Sequence, residues 1–147
     1  MTEMQTAIAQ AKQAFAMGEI PVGAAIFRGR ELISAAHNLT ETLQDPTAHA
    51  EILAIRQACA ALGSQRLSGC DLYVTLEPCP MCAGAILNAR LRAVYYGAPD
   101  PNAGACSSNI DIMTRQFFNH RADVFHGICE EDCTALLASF FAKLRQK

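Results

Sequence analysis

The sequence lacks a long apolar run, and its N-terminal segment is interrupted by the polar residues Gln10, Lys12 and Gln13. This pattern predicts neither a secretory signal peptide nor a membrane-spanning helix. The sequence also lacks an even set of cysteines, because its seven cysteines are an odd number, which speaks against an extracellular disulfide framework. We therefore expect a cytoplasmic protein with reduced thiols, in which paired cysteines more often serve metal binding or redox chemistry.

Strong net charge is absent too, since 12 basic and 14 acidic side chains nearly balance. Nucleic-acid-binding proteins are usually more basic, so the total charge counts mildly against that class. Local clusters nevertheless place Arg or Lys beside aromatic residues at 88–97, 114–121 and 139–147. Such pairs bind single strands by stacking and charge, although buried aromatic residues next to solvated cations produce the same pattern.

No low-complexity tract, internal repeat or linker divides the chain, so we expect a single domain over residues 1–147. The order of predicted elements is typical of an α/β domain whose mixed sheet carries helices on both faces. Helices are predicted from Thr2 to Gly18, from 49 to 62, over 81–89, near 109–116 and over 130–144. Strands are predicted over 21–27, 31–38, 71–76, 92–97 and 122–127, with polar loops at 39–48 and 98–104.

The segment "EPCPMCAGA" (77–85) places Cys79 and Cys82 at C-x-x-C spacing, at the start of a predicted helix. Three interpretations compete for this pair. The cysteines could form a redox-active dithiol, they could form half of a zinc site, or they could be small apolar side chains in a buried turn. Spacing alone leaves the redox and metal interpretations about equally supported.

His49 and Glu51 favour the metal interpretation. Both belong to the first turn of a predicted helix, where side chains lean toward the helix N-terminus and can reach a point just beyond it. If the two helix starts meet, His49, Cys79 and Cys82 supply three zinc ligands and leave a fourth position open, as in catalytic zinc sites. Glu51 would then remain unligated beside that open position, as a general acid and base. A second set, His126, Cys129 and Cys133, matches no ligand spacing that we can defend.

H-x-E followed by P-C-x-x-C is the motif of the zinc-dependent nucleobase deaminases. Beyond this motif, the sequence resembles the bacterial tRNA-specific adenosine deaminases of the cytidine/deoxycytidylate deaminase superfamily over most of its length. The resemblance is carried by "EIPVGA" (19–24), Asn38, "DPTAHAEI" (45–52), "LYVTLEPCPMCAGA" (72–85), "YYGAPDPNAGA" (95–105) and "NH" (119–120).

This resemblance implies a cytidine-deaminase-like three-layer α/β/α fold with a central mixed five-stranded sheet, and a homodimer. It implies hydrolytic deamination of the wobble adenosine to inosine in a tRNA anticodon, with a zinc-bound water and a glutamate proton shuttle. One Zn²⁺ per chain would be held by His49, Cys79 and Cys82, with Glu51 as the shuttle. The substrate-binding residues implied are Asn38, Ala50, Pro78, Asp100 and Asn119. The alternative is a deaminase of a free base or nucleoside, such as guanine, cytosine or cytidine, with the same zinc chemistry.

Overall fold

The computed structural model describes residues 1–114 and 119–146. Within these ranges it contains five strands and five helices. In chain order they are α1 (Glu3–Ala16), β1 (Gly23–Arg28), β2 (Glu31–His37), α2 (Thr40–Leu43), α3 (Ala50–Leu62), β3 (Cys70–Leu76), α4 (Pro80–Asn88), β4 (Ala93–Ala98), β5 (Asp123–Phe125) and α5 (Glu130–Arg145). None of the helices described is long and apolar enough to cross a membrane.

The strands form one mixed sheet in the order β2-β1-β3-β4-β5. Strand β1 pairs antiparallel with both β2 and β3, whereas β3, β4 and β5 run parallel to one another. The antiparallel hairpin needs only the Gly29–Arg30 turn, but the parallel β3–β4 pair requires a crossover, which α4 supplies. The predicted mixed five-stranded sheet is therefore confirmed.

Alternation along β1 shows how the helices form two layers. Ala24 and Ile26 belong to one buried cluster together with α3 and α4, while Ala25 and Phe27 belong to a second cluster with α1 and α5. Successive strand residues point to opposite faces, so a strand buried on both faces reads as a continuous apolar run. The "AAIF" segment has this character, and the predicted α/β/α layering is confirmed.

Helix boundaries follow local signals in the sequence. Thr2 caps α1 in a capping box, in which its hydroxyl accepts a hydrogen bond from the Gln5 amide and the Gln5 side chain accepts one from the Thr2 amide. Gly63 ends α3 in a left-handed conformation that a residue without Cβ adopts at little cost. These ends agree with the sequence prediction to within one or two residues.

Two predictions of local structure were wrong. The predicted polar loop at 39–48 contains the one-turn helix α2. The helix predicted near 109–116 does not form over residues 109–114, while residues 115 and 116 lie outside the described ranges. The amides of Asn109 and Ile110 bond to the Gly104 carbonyl, and that of Ile112 bonds to Ala105. These bonds span five to seven residues rather than the four of an α-helix, so loop hydrogen bonds replace the helical pattern in this segment.

Candidate metal centre

The centre lies where β3 and β4 end, beside the start of the antiparallel strand β1. Helices α3 and α4 pack on the same face of the sheet and begin next to each other there. Ligand sites in open α/β sheets occur beyond the carboxyl ends of the strands, and this site follows that rule. His49 is the N-cap residue of α3 and Cys79 that of α4, while Cys82 lies in the first turn of α4.

Local sequence fixes both helix starts. Before α3, the Asp45 carboxylate accepts hydrogen bonds from the backbone amide and hydroxyl of Thr47 and closes the turn of "DPT". Pro80 occupies the first turn of α4, where its missing N–H costs no helical hydrogen bond. The donor atoms of both N-cap residues lie in the shared site, within 4.8 Å of each other and of the Cys82 sulfur.

The donor atoms of His49, Cys79 and Cys82 are spaced as a tetrahedral ion requires. His49 Nδ1 lies 3.6 Å from Cys79 Sγ and 3.5 Å from Cys82 Sγ, and all three donor atoms lie within 4.8 Å of one another. Bond lengths of about 2.3 Å to sulfur and about 2.0–2.1 Å to nitrogen at the tetrahedral angle place S and N about 3.6 Å apart. The three residues therefore fit zinc, and the described residues supply no fourth ligand to this group.

The two thiols differ in acidity. A hydrogen bond from the Cys82 thiol, joined by one from His49, lowers the pKa of Cys79 to about 4 despite its partial burial. The same hydrogen bond and deeper burial raise the pKa of Cys82 above its usual range. The hydrogen bond to Cys79 also raises the pKa of His49. Both cysteines would bind a divalent cation as thiolates, so metal binding would release the protons that remain on them.

Glu51 is a buried carboxyl beside these ligands. It is 4% exposed and lies in the first turn of α3, two residues after His49. Burial raises the pKa of Glu51 to about 7. Since it does not belong to the ligand set, Glu51 is a carboxyl group that can exchange a proton near neutral pH at the edge of the centre.

A cavity of about 200 Å³ opens onto the centre and is lined by His49, Glu51 and Cys79. Sites for drug-sized ligands are larger, typically about 300–1,000 Å³, so this cavity suits a single planar ring system. Its walls come from α2, β3 and the segments that follow β2 and β4. The other lining residues are Ile20, Val22, Asn38, Thr40, Ala50, Leu76, Glu77, Asp100 and Ala103.

Three of the five residues expected to contact substrate line this cavity: Asn38, Ala50 and Asp100. The Asn38 amide nitrogen donates to the Ile20 carbonyl at 3.4 Å, which orients the side chain. Asp100 Oδ1 accepts from the amides of Asn102 and Ala103, so part of this carboxylate holds its own turn.

The other two expected contacts lie elsewhere. Pro78 is buried between the lining residues Glu77 and Cys79, and its carbonyl accepts from the Ala105 amide. Asn119 lines a different cavity, at the opposite end of the sheet. The structure therefore does not bring Asn119 together with the metal centre within this chain.

Glu77 is a site residue that the sequence did not reveal. It is 2% exposed, and its carboxylate accepts four backbone N–H groups from the loop after β4. Oε1 accepts from Asp100, and Oε2 accepts from Cys106, Ser107 and Ser108, all at 3.0–3.1 Å. Burial raises the pKa of Glu77, but these hydrogen bonds outweigh it and hold the pKa below its usual value. Glu77 thereby fixes one wall of the cavity.

The same loop has no room for a side chain at Gly104. A Cβ there would lie 2.4 Å from the Glu77 carboxyl carbon and 2.5 Å from the Asp100 carbonyl oxygen. The glycine thus permits the loop to close around the carboxylate. In the sequence, Glu77 indicated only the end of a strand, because its partners lie 23 to 31 residues further along the chain.

Glu19 holds the opposite wall in a similar way. Its side chain accepts from the amides of Glu41 at 3.1 Å and Thr42 at 2.7 Å, at the start of α2. Burial raises the pKa of Glu19, but the hydrogen bonds from Thr42 and Glu41 outweigh it and lower the pKa overall. The adjacent Thr40 lines the cavity. A carboxylate at a helix N-terminus also satisfies amides that the helix leaves unpaired, and this explains the helix in the predicted loop.

The remaining cysteines do not form a second centre. Among the residues described, His49, Cys79 and Cys82 are the only group of three ligands close enough to hold a metal, so His126, Cys129 and Cys133 are not such a group. The thiols of Cys106 and Cys133 are buried, and burial raises the pKa of each thiol above its usual range.

The chain is similar to known deaminases in both sequence and structure. A family model described as MafB19-like deaminase matches residues 1–145. The tRNA-specific adenosine deaminase of Bacillus subtilis (strain 168) is 49% identical over 144 residues, which cover 98% of this chain and 89% of that protein. A solved structure from a study of A-to-I editing by tRNA:A34 deaminases at the wobble position of transfer RNA is similar with a TM-score of 0.89. Its sequence identity is 45%, and the match covers 92% of this chain and 98% of that chain.

A guanine deaminase from Nitrosomonas europaea has a less similar structure. Its TM-score is 0.79 at 26% identity, and the match covers 95% of this chain and 83% of that chain. The chain thus shares its fold with deaminases of more than one substrate, and the predicted cytidine-deaminase-like fold is confirmed.

Proposed function

Because this chain belongs to the MafB19-like deaminases and, among them, to the tRNA-specific adenosine deaminases, we propose that it deaminates the wobble adenosine of a tRNA anticodon. Adenosine and water would give inosine and ammonia. We propose that the whole chain, 1–147, acts as one deaminase domain, which the match over residues 1–145 supports.

The observation that carries this proposal is the meeting of three metal ligands and one buried, unligated carboxyl at a small cavity. His49, Cys79 and Cys82 would hold one zinc ion, since their spacing fits it. When bound, zinc lowers the pKa of water toward 7 and so supplies a nucleophile at neutral pH. His49 Nδ1 lies about equally close to both sulfur atoms, and this arrangement favours a metal site over a redox dithiol.

Glu51 would move the protons of the reaction. Its carboxylate would take one proton from the attacking water and deliver it to a ring nitrogen of the purine. It would then take the second proton from the hydroxyl group added to the ring and deliver it to the amino group, which leaves as ammonia. Glu51 is buried, and a carboxyl group shielded from solvent interacts more strongly with the groups that it contacts. The gain expected from such a positioned acid and base is about 10²–10⁴-fold.

Substrate contacts are proposed from the cavity lining. Asn38 would bond the edge of the base through its oriented amide, and Ala50 would pack against the ring. Asp100 and Pro78 would position the rim of the cavity around the substrate. Both belong to segments that hydrogen bonds of Glu77 and its neighbours fix in place. An RNA adenosine must leave its stack to enter, and unstacking costs least in a single-stranded loop.

The substrate is tested by incubating the zinc-loaded protein with an anticodon stem-loop that carries a wobble adenosine. Mass analysis should show conversion of that adenosine to inosine, and a stem-loop with guanosine at the same position should remain unchanged. Guanine, cytosine and cytidine should have kcat/KM values at least about a hundredfold lower, since each lacks the adenine ring and the surrounding anticodon loop. Efficient turnover of guanine with an inert stem-loop would contradict the proposal. The likeness to guanine deaminases makes this the specific alternative.

We also propose that the protein is cytoplasmic, where its tRNA substrate lies, and that it acts as a homodimer. Large apolar side chains remain exposed at Ile20, Leu43, Met81 and Ile110, and Ile20 lines the cavity. Exposed apolar patches of this kind mark interaction surfaces. Light scattering of the purified protein should give twice the chain mass of 15.8 kDa. A mass of one chain at micromolar concentration would exclude a stable dimer.

A further inference from the structure

A second cavity lies at the end of the sheet opposite the metal centre. It measures about 620 Å³, and four of the nine arginines of the sequence line it. These are Arg66, Arg90, Arg92 and Arg121, with Asn119 and His120 between them. They come from the segments that precede β3, β4 and β5, so the fold gathers cations that are far apart in sequence.

Most of this positive charge has no carboxylate partner among residues 1–114 and 119–146. Among the residues described, salt bridges join only Arg28 to Glu31 and Arg92 to Asp71. Arg66, Arg90 and Arg121 therefore lack a carboxylate within bonding distance, while Asp123 adds one unpaired negative charge to the cavity. An excess of two positive charges remains, and like charges gathered in one cavity repel each other unless an anion binds there.

Structural roles explain only part of this cluster. Arg90 follows the C-terminus of α4, where a cation stabilises the helix dipole. Arg66 and Arg121 lie in loops and are exposed, and Arg66 is four residues beyond the last residue of α3. His120 Nε2 lies 2.7 Å from the Leu91 carbonyl oxygen, a contact that fixes this wall of the cavity. The concave shape and the unpaired guanidinium groups suit the oxygens of a phosphate group, which arginine binds through two parallel hydrogen bonds.

We propose that this arginine cavity binds two or three backbone phosphates of the RNA substrate. The inference rests on the proposed function and extends it. Strand β3 separates the two sites, and its seven residues span about 20 Å at about 3.3 Å per residue. A free nucleoside cannot reach from one site to the other, whereas a stem-loop can. The cavity would thus favour RNA over small substrates without any contact to the reacting base. Because Asn119 lines this cavity, it would contact the RNA backbone rather than the reacting base.

The test compares wild type with the triple variant Arg66→Gln, Arg90→Gln, Arg121→Gln, both loaded with zinc. For the anticodon stem-loop, KM and Kd should rise about tenfold or more, because two or three phosphate contacts are lost. The slope of log Kd against log salt should fall by about two, at about 0.7–0.9 per phosphate. The kcat at saturating RNA should stay within about twofold, since the metal centre is distant.

A matched control carries the same change in charge at exposed positions outside the cavity: Lys12→Gln, Arg30→Gln, Arg56→Gln. An equal loss of affinity in this control would overturn the proposal, because net charge alone would explain the effect. If the triple variant is unstable, Arg66→Gln and Arg121→Gln are measured singly, each with an expected slope change of about one. An unchanged slope in both would also overturn it.

Calorimetry with inorganic phosphate distinguishes a free phosphate ion from an RNA backbone phosphate as the ligand of the arginine cavity. Submillimolar phosphate binding that the triple variant loses, together with unchanged RNA affinity, would assign the cavity to a small anion and overturn the RNA assignment. Competition between inorganic phosphate and RNA for the cavity would support the RNA assignment. Failure of wild type to deaminate the stem-loop contradicts the proposed function alone, since the salt slope of RNA binding still tests the arginine cavity.

Discussion

Replacing Glu51 with alanine is expected to lower kcat for deamination of the stem-loop by about 10²–10⁴-fold and to leave one zinc ion bound per chain. The carboxyl lies against the metal centre but is not one of its three ligands. Its removal should therefore stop proton transfer without releasing the ion. The expected KM changes little, because the loss falls on the transition state rather than on RNA binding. Inosine formation under single-turnover conditions and zinc content by mass spectrometry measure the two effects.

The matched control is Glu130→Ala, which also removes a glutamate from the first turn of a helix but lies exposed on α5. It should retain wild-type kcat within about twofold, as expected for a surface change far from the site. A Glu51→Ala protein with near-normal turnover would remove Glu51 from the reaction. Loss of zinc in that variant would show that the carboxyl supports the ligands instead.

Replacing Cys82 with alanine is expected to abolish both zinc binding and deamination. With one of three ligands gone, His49 and Cys79 would leave the ion two protein donors, fewer than the three of catalytic zinc sites. Zinc content should fall from about one per chain to less than a tenth of that after dialysis against a mild chelator. The loss of activity should not be restored by added zinc at micromolar concentration.

Cys59→Ala serves as the control, because Cys59 is a half-buried free thiol of α3 that does not belong to the ligand group. It should keep its zinc and its activity. Thiol titration gives an independent readout, since Cys79 in zinc-loaded wild type should resist alkylation and should react once the ion is removed. Full zinc occupancy in the Cys82→Ala variant would contradict the proposed ligand set.

Predictions from local signals succeeded where the interactions are local. The capping box at Thr2, the turn of "DPT" and the left-handed Gly63 each act within a few residues, so the sequence shows them directly. Runs of apolar, β-branched and aromatic residues likewise predicted the strands, because a strand buried on both faces is apolar along its length. The same local reasoning failed at 109–114, where amides bond to carbonyls five to seven residues away.

The sequence by itself determined which residue types form the candidate metal centre. C-x-x-C places Cys79 and Cys82 in the N-cap and first turn of one helix, and H-x-E does the same for His49 and Glu51. Each pair is fixed by the geometry of a single helix start, so its spacing can be read from the chain. Only the tertiary structure decided that the two helix starts meet with Nδ1 about 3.5 Å from both sulfur atoms.

Tertiary structure alone also decided the walls of the cavity and the gathering of the arginines. Glu77 binds amides 23 to 31 residues away, and the arginine cavity draws on segments from 66 to 121. No local periodicity relates these positions, because sheet order brings them together and sheet order depends on which strands pair. Asn119 shows the same limit: the family resemblance implied a substrate contact for this residue, but it lies before β5, at the other end of the sheet from the metal centre.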